Sequence, residues 1–269
     1  MCRSCAEGGR RCRDSRRLKQ LSHADLLPEH AEDRPDVTWS VEGHQEPDLG
    51  QLWAVEPGKP ALPAPVVAEA IGTLADVAAD ESQITTDIMA SVPSGARASG
   101  LEFRMKSPSS LARKIRDRVK LAAASARPMS PAEVASRMTD IVRYTIEAAD
   151  HDHLVPTATS AVEHLKSQGY EVVEAEHSYV DGSSYKGLHL TVRSPKGRLF
   201  ELQVHSEHSQ KIKDEVHLIY EEARRLEPGD PRRSDLEMQM TERSASLPGP
   251  PGIDKLKKLG GTSVERRKK

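Results

Sequence analysis

Cysteine is nearly absent from this chain of 269 residues: Cys2, Cys5 and Cys12 lie near its start and none follows. An odd number confined to one short stretch excludes a disulfide-scaffolded fold and fits a reducing compartment. Cys2 and Cys5 have zinc-knuckle spacing, and Cys12 with His23 would have to complete a tetrahedral set. No second Cys-x-x-Cys follows, so a flexible basic tail with free thiols is expected rather than a zinc site. Aromatics are scarce at 3%, and apolar residues reach only 36%. That is too little for one core spanning the whole chain, so one ordered domain with disordered flanks is expected. Long apolar runs are missing too. None approaches the ~20 residues of a membrane span, and the charged N-terminus has no apolar stretch behind it. The expectation is a cytoplasmic protein with no membrane partner.

A surplus of one charge is also lacking, the net value being −2, but the signs are segregated. Residues 1–20 and 253–269 are basic, whereas 24–57 hold nine Asp or Glu against one Arg. A near-neutral total therefore says nothing against a polyanion bound locally.

The most informative stretch is 188–205. Leu188, Leu190 and Val192 alternate with His189, Thr191 and Arg193, and Phe200, Leu202 and Val204 alternate with Glu201, Gln203 and His205. With Ser194-Pro195-Lys196-Gly197 between them, the two runs predict a hairpin with one apolar face. The other face carries a carboxylate, an amide and two imidazoles, a set that fits a functional face better than a merely wet one.

Residues 20–65, rich in Pro, acids and His, read as linker. From Pro65 apolar residues recur at helical spacing, with a second helical stretch around 84–92. Leu101, Phe103 and Met105 alternate with Glu102, Arg104 and Lys106, which predicts a short strand. Ser-Pro-Ser-Ser at 107–110 is a helix start. The run Arg104–Lys120 then holds seven cations and one acid, Asp117. That pattern suits a polyphosphate cradle, or equally a surface or RNA-facing helix. A short helix over 131–138 precedes a β-branched strand opened by Asp140. Asp140 gains meaning only with a second carboxylate, Glu201, since two such groups beside a triphosphate suffice for Mg²⁺. Asp150-His151-Asp152-His153 lacks helical spacing for convergence and reads as a polar helix start. Tyr170–Val173 is a strand, and a Gly/Ser loop over 177–184 delivers Tyr185. After the hairpin, Ser209, Lys213, His217 and Tyr220 share one helix face, alone no more than a charged surface stripe. Beyond Pro228 no periodicity is apparent, and a basic tail is expected.

Four motifs in order, EFRMKSPSSLARKI (102–115), TDIVRYTI (139–146), YKGLHLTV (185–192) and FELQVHS with its helix to 224, resemble the synthetase domain of RelA/SpoT proteins. That family transfers pyrophosphate from ATP to a nucleotide 3′-hydroxyl, making alarmones. The resemblance covers about 64–226. It implies an α/β (α+β), nucleotidyltransferase-like mixed sheet of about five strands packed by helices. The implied organisation is 1–63 disordered with the Cys-containing start, 64–228 the synthetase-like domain and 229–269 a disordered basic tail. By resemblance, Arg104, Lys106, Ser110, Arg113 and Lys114 bind ATP, with Arg104 and Lys114 also counted as catalytic. Asp140 is a Mg²⁺ ligand, and Glu201 is either a second ligand or the base that activates the hydroxyl. Tyr185 stacks on the acceptor base with His189 beside it, and Gln203, Lys213 and His217 line the acceptor side.

Departures accompany the match. No room exists in 1–63 for the upstream hydrolase domain of long family members, so alarmone degradation is not expected. The loop before Tyr185 is Asp181-Gly182-Ser183-Ser184 in place of the family's Pro-Lys and Asn-Gly, and His205-Ser206 replaces its Arg-Thr. These changes resemble the toxin-like branch. They leave guanine nucleotides, adenine nucleotides and the 3′ end of tRNA all open as acceptors. Expected partners are thus ATP and a purine nucleotide, with tRNA, a second copy or an antitoxin protein as further candidates. A catalytically silent nucleotide-sensing or protein-binding module is the reading from another class.

Overall fold

Alternating runs joined by a tight turn should bury every second side chain; residues 188–193 and 199–202 do so, and 203–206 are buried throughout. The computed structural model describes Leu52–Trp53 and residues 62–269 except 225, 227 and 228. The zinc-knuckle reading at Cys2, Cys5 and Cys12 and the expected disorder of the N-terminal stretch lie outside the described residues. The described residues divide into two compact units. One ends at Gln83 and resumes over Glu102–Val142; the other comprises Ile84–Leu101 and Arg143–Lys269.

In the first unit, β1 (Leu52–Trp53) pairs antiparallel with β2 (Leu62–Pro63). Helix α1 (Ala64–Ser91) follows and contributes its first part here. Val66, Val67, Ala70, Leu74 and Val77 are buried at helical spacing. Helix α2 (Pro108–Ala124) starts where the sequence asks: Ser107 accepts from the Ser110 amide, and Pro108 occupies the first turn. It buries Leu111, Ala112 and Ile115. Helix α3 (Pro131–Ser136) opens on a capping box in which Ser130 and Glu133 satisfy each other's backbone amides. The expected strand over 101–106 is corrected. The chain turns as a 3-10 helix at Leu101–Phe103, none of whose residues is buried, and only Met105 makes a bridge, to Val142. Of the three alternating apolar residues only Met105 is buried, so alternation had too little of a core to register against.

The second unit is built on a mixed sheet of seven strands in the order β3-β4-β7-β6-β5-β9-β8. These are β3 (Arg97–Ser99), β4 (Arg143–Ala148), β5 (Glu171–His177), β6 (Leu188–Arg193), β7 (Leu199–Ser206), β8 (Lys258–Leu259) and β9 (Thr262–Arg266). β6 and β7 form the expected antiparallel hairpin, closed where Gly197 donates to the Ser194 carbonyl at 2.8 Å. β4 lies parallel to β7, with Arg143 opposite Glu201 in register. Phe200 is fully buried and takes Tyr144 and Tyr170 edge-on, at centroid distances of 5.6 and 6.0 Å. Both hydroxyls are satisfied from α1: Tyr144 bonds Thr85 at 2.8 Å, and Tyr170 donates to Asp87 at 2.7 Å. Helix α4 (Leu154–Ser167) buries Leu154, Ala158, Val162 and Leu165, while α5 (Glu207–Ala223) runs on from β7 and packs on α6 (Pro231–Ala245). Asp150 accepts from both the amide and the ring of His153, which makes the Asp150–His153 stretch a helix entry, as its spacing indicated.

Two expectations are corrected here. The sheet has seven strands rather than about five, and residues 229–269 are not a tail. They form α6 and the β8–β9 pair, whose second strand adds parallel to β5. The connecting Gly260 has φ +62°, and a Cβ there would meet Val172 at 2.7 Å and Val162 at 2.8 Å, so only glycine lets this turn settle on the sheet and α4. Among the described residues no helix is long and apolar enough to cross a membrane.

Candidate active site

The sequence-predicted site residues form two clusters, one in each unit. In the first, the α2 face and the segment before it converge on Asp140. Lys114 is salt-bridged to its Oδ2, and the Lys106 ammonium stands 3.3 Å from the same oxygen. Lys114 is shifted down from the ordinary lysine range by burial and then by Lys106, more than Asp140 pulls it up. Arg104 is turned to Glu81, a carboxylate buried to 4% exposure that needs a cationic partner. It therefore reaches a phosphate only by sharing or leaving that pair. Ser110 gives its amide to the Ser107 cap at 3.3 Å, at the N-terminal turn of a 17-residue helix where N–H groups point outward. Arg113 lies one turn on, next to Lys114. Mg²⁺ is held in such sites by one or two carboxylates together with substrate phosphates. Of these side chains only the Asp140 carboxylate offers oxygen to a nucleotide-borne Mg²⁺, while Lys106 and Lys114 suit the phosphates.

In the second unit the polar face of the β6–β7 hairpin gathers His189, Glu201, Gln203 and His205 under Tyr185. Glu201 accepts from His189 Nδ1 and from the Gln203 amide, each at 2.9 Å and both on Oε1. Burial alone would raise its pKa; the hydrogen bond from His189, with Arg143 and Gln203, outweighs burial and holds it far below the carboxylate range. Tyr185 bonds His189 Nε2 at 2.8 Å and His205 Nε2 at 3.0 Å through its hydroxyl, and His205 Nδ1 bonds Ser209 at 3.1 Å. Burial, then Lys213, His189 and Arg143, push His205 well below the histidine range, so it is neutral. Burial and Glu201 push the Tyr185 phenol up. Lys213 is lowered to about 8 by burial and by Arg143. Gln203, 3% exposed, leaves its Oε1 without a hydrogen bond.

The loop carrying Tyr185 is tied down by segments the sequence reading had set aside. Ser244 Oγ donates to the Ser184 carbonyl at 2.7 Å, and Lys186 donates to the Leu247 carbonyl at 2.6 Å. The Lys269 carbonyl accepts from the Ser184 amide at 2.9 Å. Gly187 is needed for close approach: a Cβ there would sit 2.7 Å from both His189 Nε2 and the Tyr185 hydroxyl.

Thus Lys106, Lys114 and Asp140 meet, as do Tyr185, His189, Glu201 and Gln203. His217 instead pairs with Glu221 on its own helix at 3.5 Å. Arg143 belongs to the cluster and was missed; His205, which alternation puts on the polar hairpin face, belongs to it too but had been given no role. Arg143 gave no signal as the fifth residue of TDIVRYTI beyond its charge in an apolar run. For His205 the signal was the departure from the family's Arg-Thr.

No protein-family profile and no curated protein matches the chain. Among solved structures, one similar chain is in the complex of the Type VI effector Tas1 with its immunity protein: 17% identity over 67% of this chain and 93% of that one, TM-score 0.38. The small alarmone synthetase 1 from Bacillus subtilis is 15% identical over 67% and 87%, with TM-score 0.39. A GTP pyrophosphokinase family protein from Streptococcus pneumoniae is 15% identical over 71% and 91%, with TM-score 0.35. These neighbours are of the kind the four motifs resemble.

Proposed function

We propose that the protein is a Mg²⁺-dependent pyrophosphokinase that moves the β,γ-pyrophosphate of ATP to the 3′-hydroxyl of a purine nucleotide. The observation that carries this is the meeting of Lys106 and Lys114 on Asp140 beside the amino end of α2. Phosphoryl-group transfer asks the protein for positioned cations and a metal rather than covalent chemistry. Lys106, Lys114 and the helix amides would take the ATP phosphates, and Asp140 would hold the nucleotide's Mg²⁺, which when bound neutralises charge on the transferring group.

Glu201 would serve the acceptor. A carboxylate held ionised, with both protein bonds on Oε1, keeps Oε2 for accepting the hydroxyl proton. The bare Gln203 carbonyl supports an acceptor-side role, because a buried acceptor without a donor costs about 1–3 kcal/mol and a bound N–H or O–H removes that cost. Tyr185, His189 and Lys213 complete this side.

The test is to incubate the protein with Mg²⁺ and γ-labelled ATP, offering GDP, GTP, ADP, AMP and deacylated tRNA separately. Label on a nucleotide supports the reading and names the acceptor. Label on tRNA alone would replace the nucleotide by a tRNA end. No transfer to any acceptor, with Glu201→Gln equally inert, would refute the enzyme and leave a silent nucleotide-binding module.

A further inference from the structure

Tyr185 is expected, from the family resemblance, to work through its ring. Its hydroxyl, however, is shared between two imidazoles, and the proton count there is tightly constrained. An ionised carboxylate only accepts, so the contact between Glu201 Oε1 and His189 Nδ1 at 2.9 Å requires the hydrogen on Nδ1. With His189 neutral, its Nε2 is then an acceptor, and at 2.8 Å it takes the one proton Tyr185 has. The contact between Tyr185 and His205 Nε2 at 3.0 Å must therefore be donated by His205. A neutral His205 with hydrogen on Nε2 has a bare Nδ1, which Ser209 fills as donor at 3.1 Å. Ser209 Oγ in turn accepts from the Ser206 amide at 2.8 Å. With both rings neutral the contacts among Glu201, His189, Tyr185 and His205 leave no other assignment, and Ser209 then gives its one hydroxyl proton to His205 in place of the Ser206 carbonyl 3.2 Å away.

We infer that Ser209, His205, Tyr185 and His189 form a one-way hydrogen-bonded chain ending on Glu201, and that Tyr185 and His205 are positioning residues which fix the tautomer and aim of His189. His205, fully buried at the C-terminal end of β7, is a buried titratable group that the transfer chemistry itself does not use. Gly187 leaves the space in which the three side chains meet. The chain holds the carboxylate by one oxygen, so that the other keeps a constant direction toward its substrate. In its kinetic arm the inference rests on the pyrophosphokinase reading; its structural arm does not.

The structural arm is ¹⁵N NMR of histidine-labelled protein, followed as the pH is raised until no imidazole is charged, with signals assigned through His189→Gln and His205→Gln. The expected result is hydrogen on Nδ1 of His189 and on Nε2 of His205. The same tautomer on both rings, or hydrogen on Nδ1 of His205, would overturn the chain. In the kinetic arm, Tyr185→Phe keeps the ring and removes the link. It is expected to lower kcat about 10- to 100-fold, the range for losing a group that orients another, while the acceptor KM moves by less than ~3-fold. Unchanged kcat, or a loss confined to acceptor KM, would overturn the role given to the hydroxyl. His205→Gln, which can return an N–H to the Nε2 position, should recover much of the turnover that His205→Leu loses; equal loss in both, with folding intact by melting temperature, counts against it. Wild type inactive on all acceptors would refute the pyrophosphokinase reading, and the tautomers would still judge the chain.

Discussion

Lys213→Met tests the electrostatics of the second cluster most directly. Lys213 titrates at about 8 against an ordinary 10.5, because burial and the Arg143 guanidinium oppose its charge. At ~1.36 kcal/mol per pKa unit, keeping it protonated at neutral pH costs the fold about 3 kcal/mol. Methionine has similar length and no charge, so its packing cost is under ~1.5 kcal/mol. The variant should gain about 1.5–3 kcal/mol at pH 7, which is a melting temperature higher by roughly 3–12 °C at ~2–4 °C per kcal/mol. The sign with pH follows from proton counts. Between pH 8 and 10.5 the unfolded chain still holds the Lys213 proton and the folded one has lost it, so wild-type stability rises with pH through that window. The advantage of the variant should therefore be full below pH 8 and fade toward pH 10.5. Thermal melts of both proteins across this range measure the difference, and subtraction removes every other titration. Equal melting temperatures at pH 7, or a difference that does not fade, would refute the argument. In the labelled-ATP assay the same variant should raise the acceptor KM, since a cation that costs stability is retained where it serves binding.

Glu201→Gln should cut pyrophosphate transfer by about 10²- to 10⁴-fold, the span for losing a general base, while nucleotide binding measured by calorimetry persists. Asp140→Asn should weaken the Mg²⁺ dependence of transfer and leave Lys106 and Lys114 without their shared counter-charge; an unchanged Mg²⁺ titration would remove Asp140 from the metal's ligands. Gly187→Ala pushes a methyl into the Tyr185–His189 contact, and should reduce turnover more than it lowers the melting temperature. Gly260→Ala combines a positive φ with overpacking against Val162 and Val172. It should cost about 1–3 kcal/mol by undocking the β8–β9 turn, read by chemical denaturation; a neutral effect would mean that this hairpin does not depend on its seat.

Much of the site was legible from local pattern. Strict alternation over 188–193 and 200–205, joined by a Pro-Lys-Gly turn, can bury one face only as a hairpin, and that alone sends His189, Glu201 and Gln203 to the same side. Ser107-Pro108 set the start of α2, because a hydroxyl cap and a residue lacking an N–H suit the first turn of a helix. What local pattern missed was decided by distant partners. Residues 258–266 have too few apolar side chains to announce strands, yet their backbone finds an open edge at β5, and edge pairing asks for hydrogen bonds rather than hydrophobic periodicity. Residues 101–106 show the reverse: alternation was present, but only Met105 meets the core. Arg143 entered the acceptor cluster through the parallel register of β4 with β7, a pairing that spans some 58 positions and leaves no local trace. The sequence by itself determined which residue types stand on which face of each element. Only the tertiary structure decided that one tyrosine hydroxyl would lie between two imidazoles, because that depends on three separate segments closing to hydrogen-bond distance over a glycine.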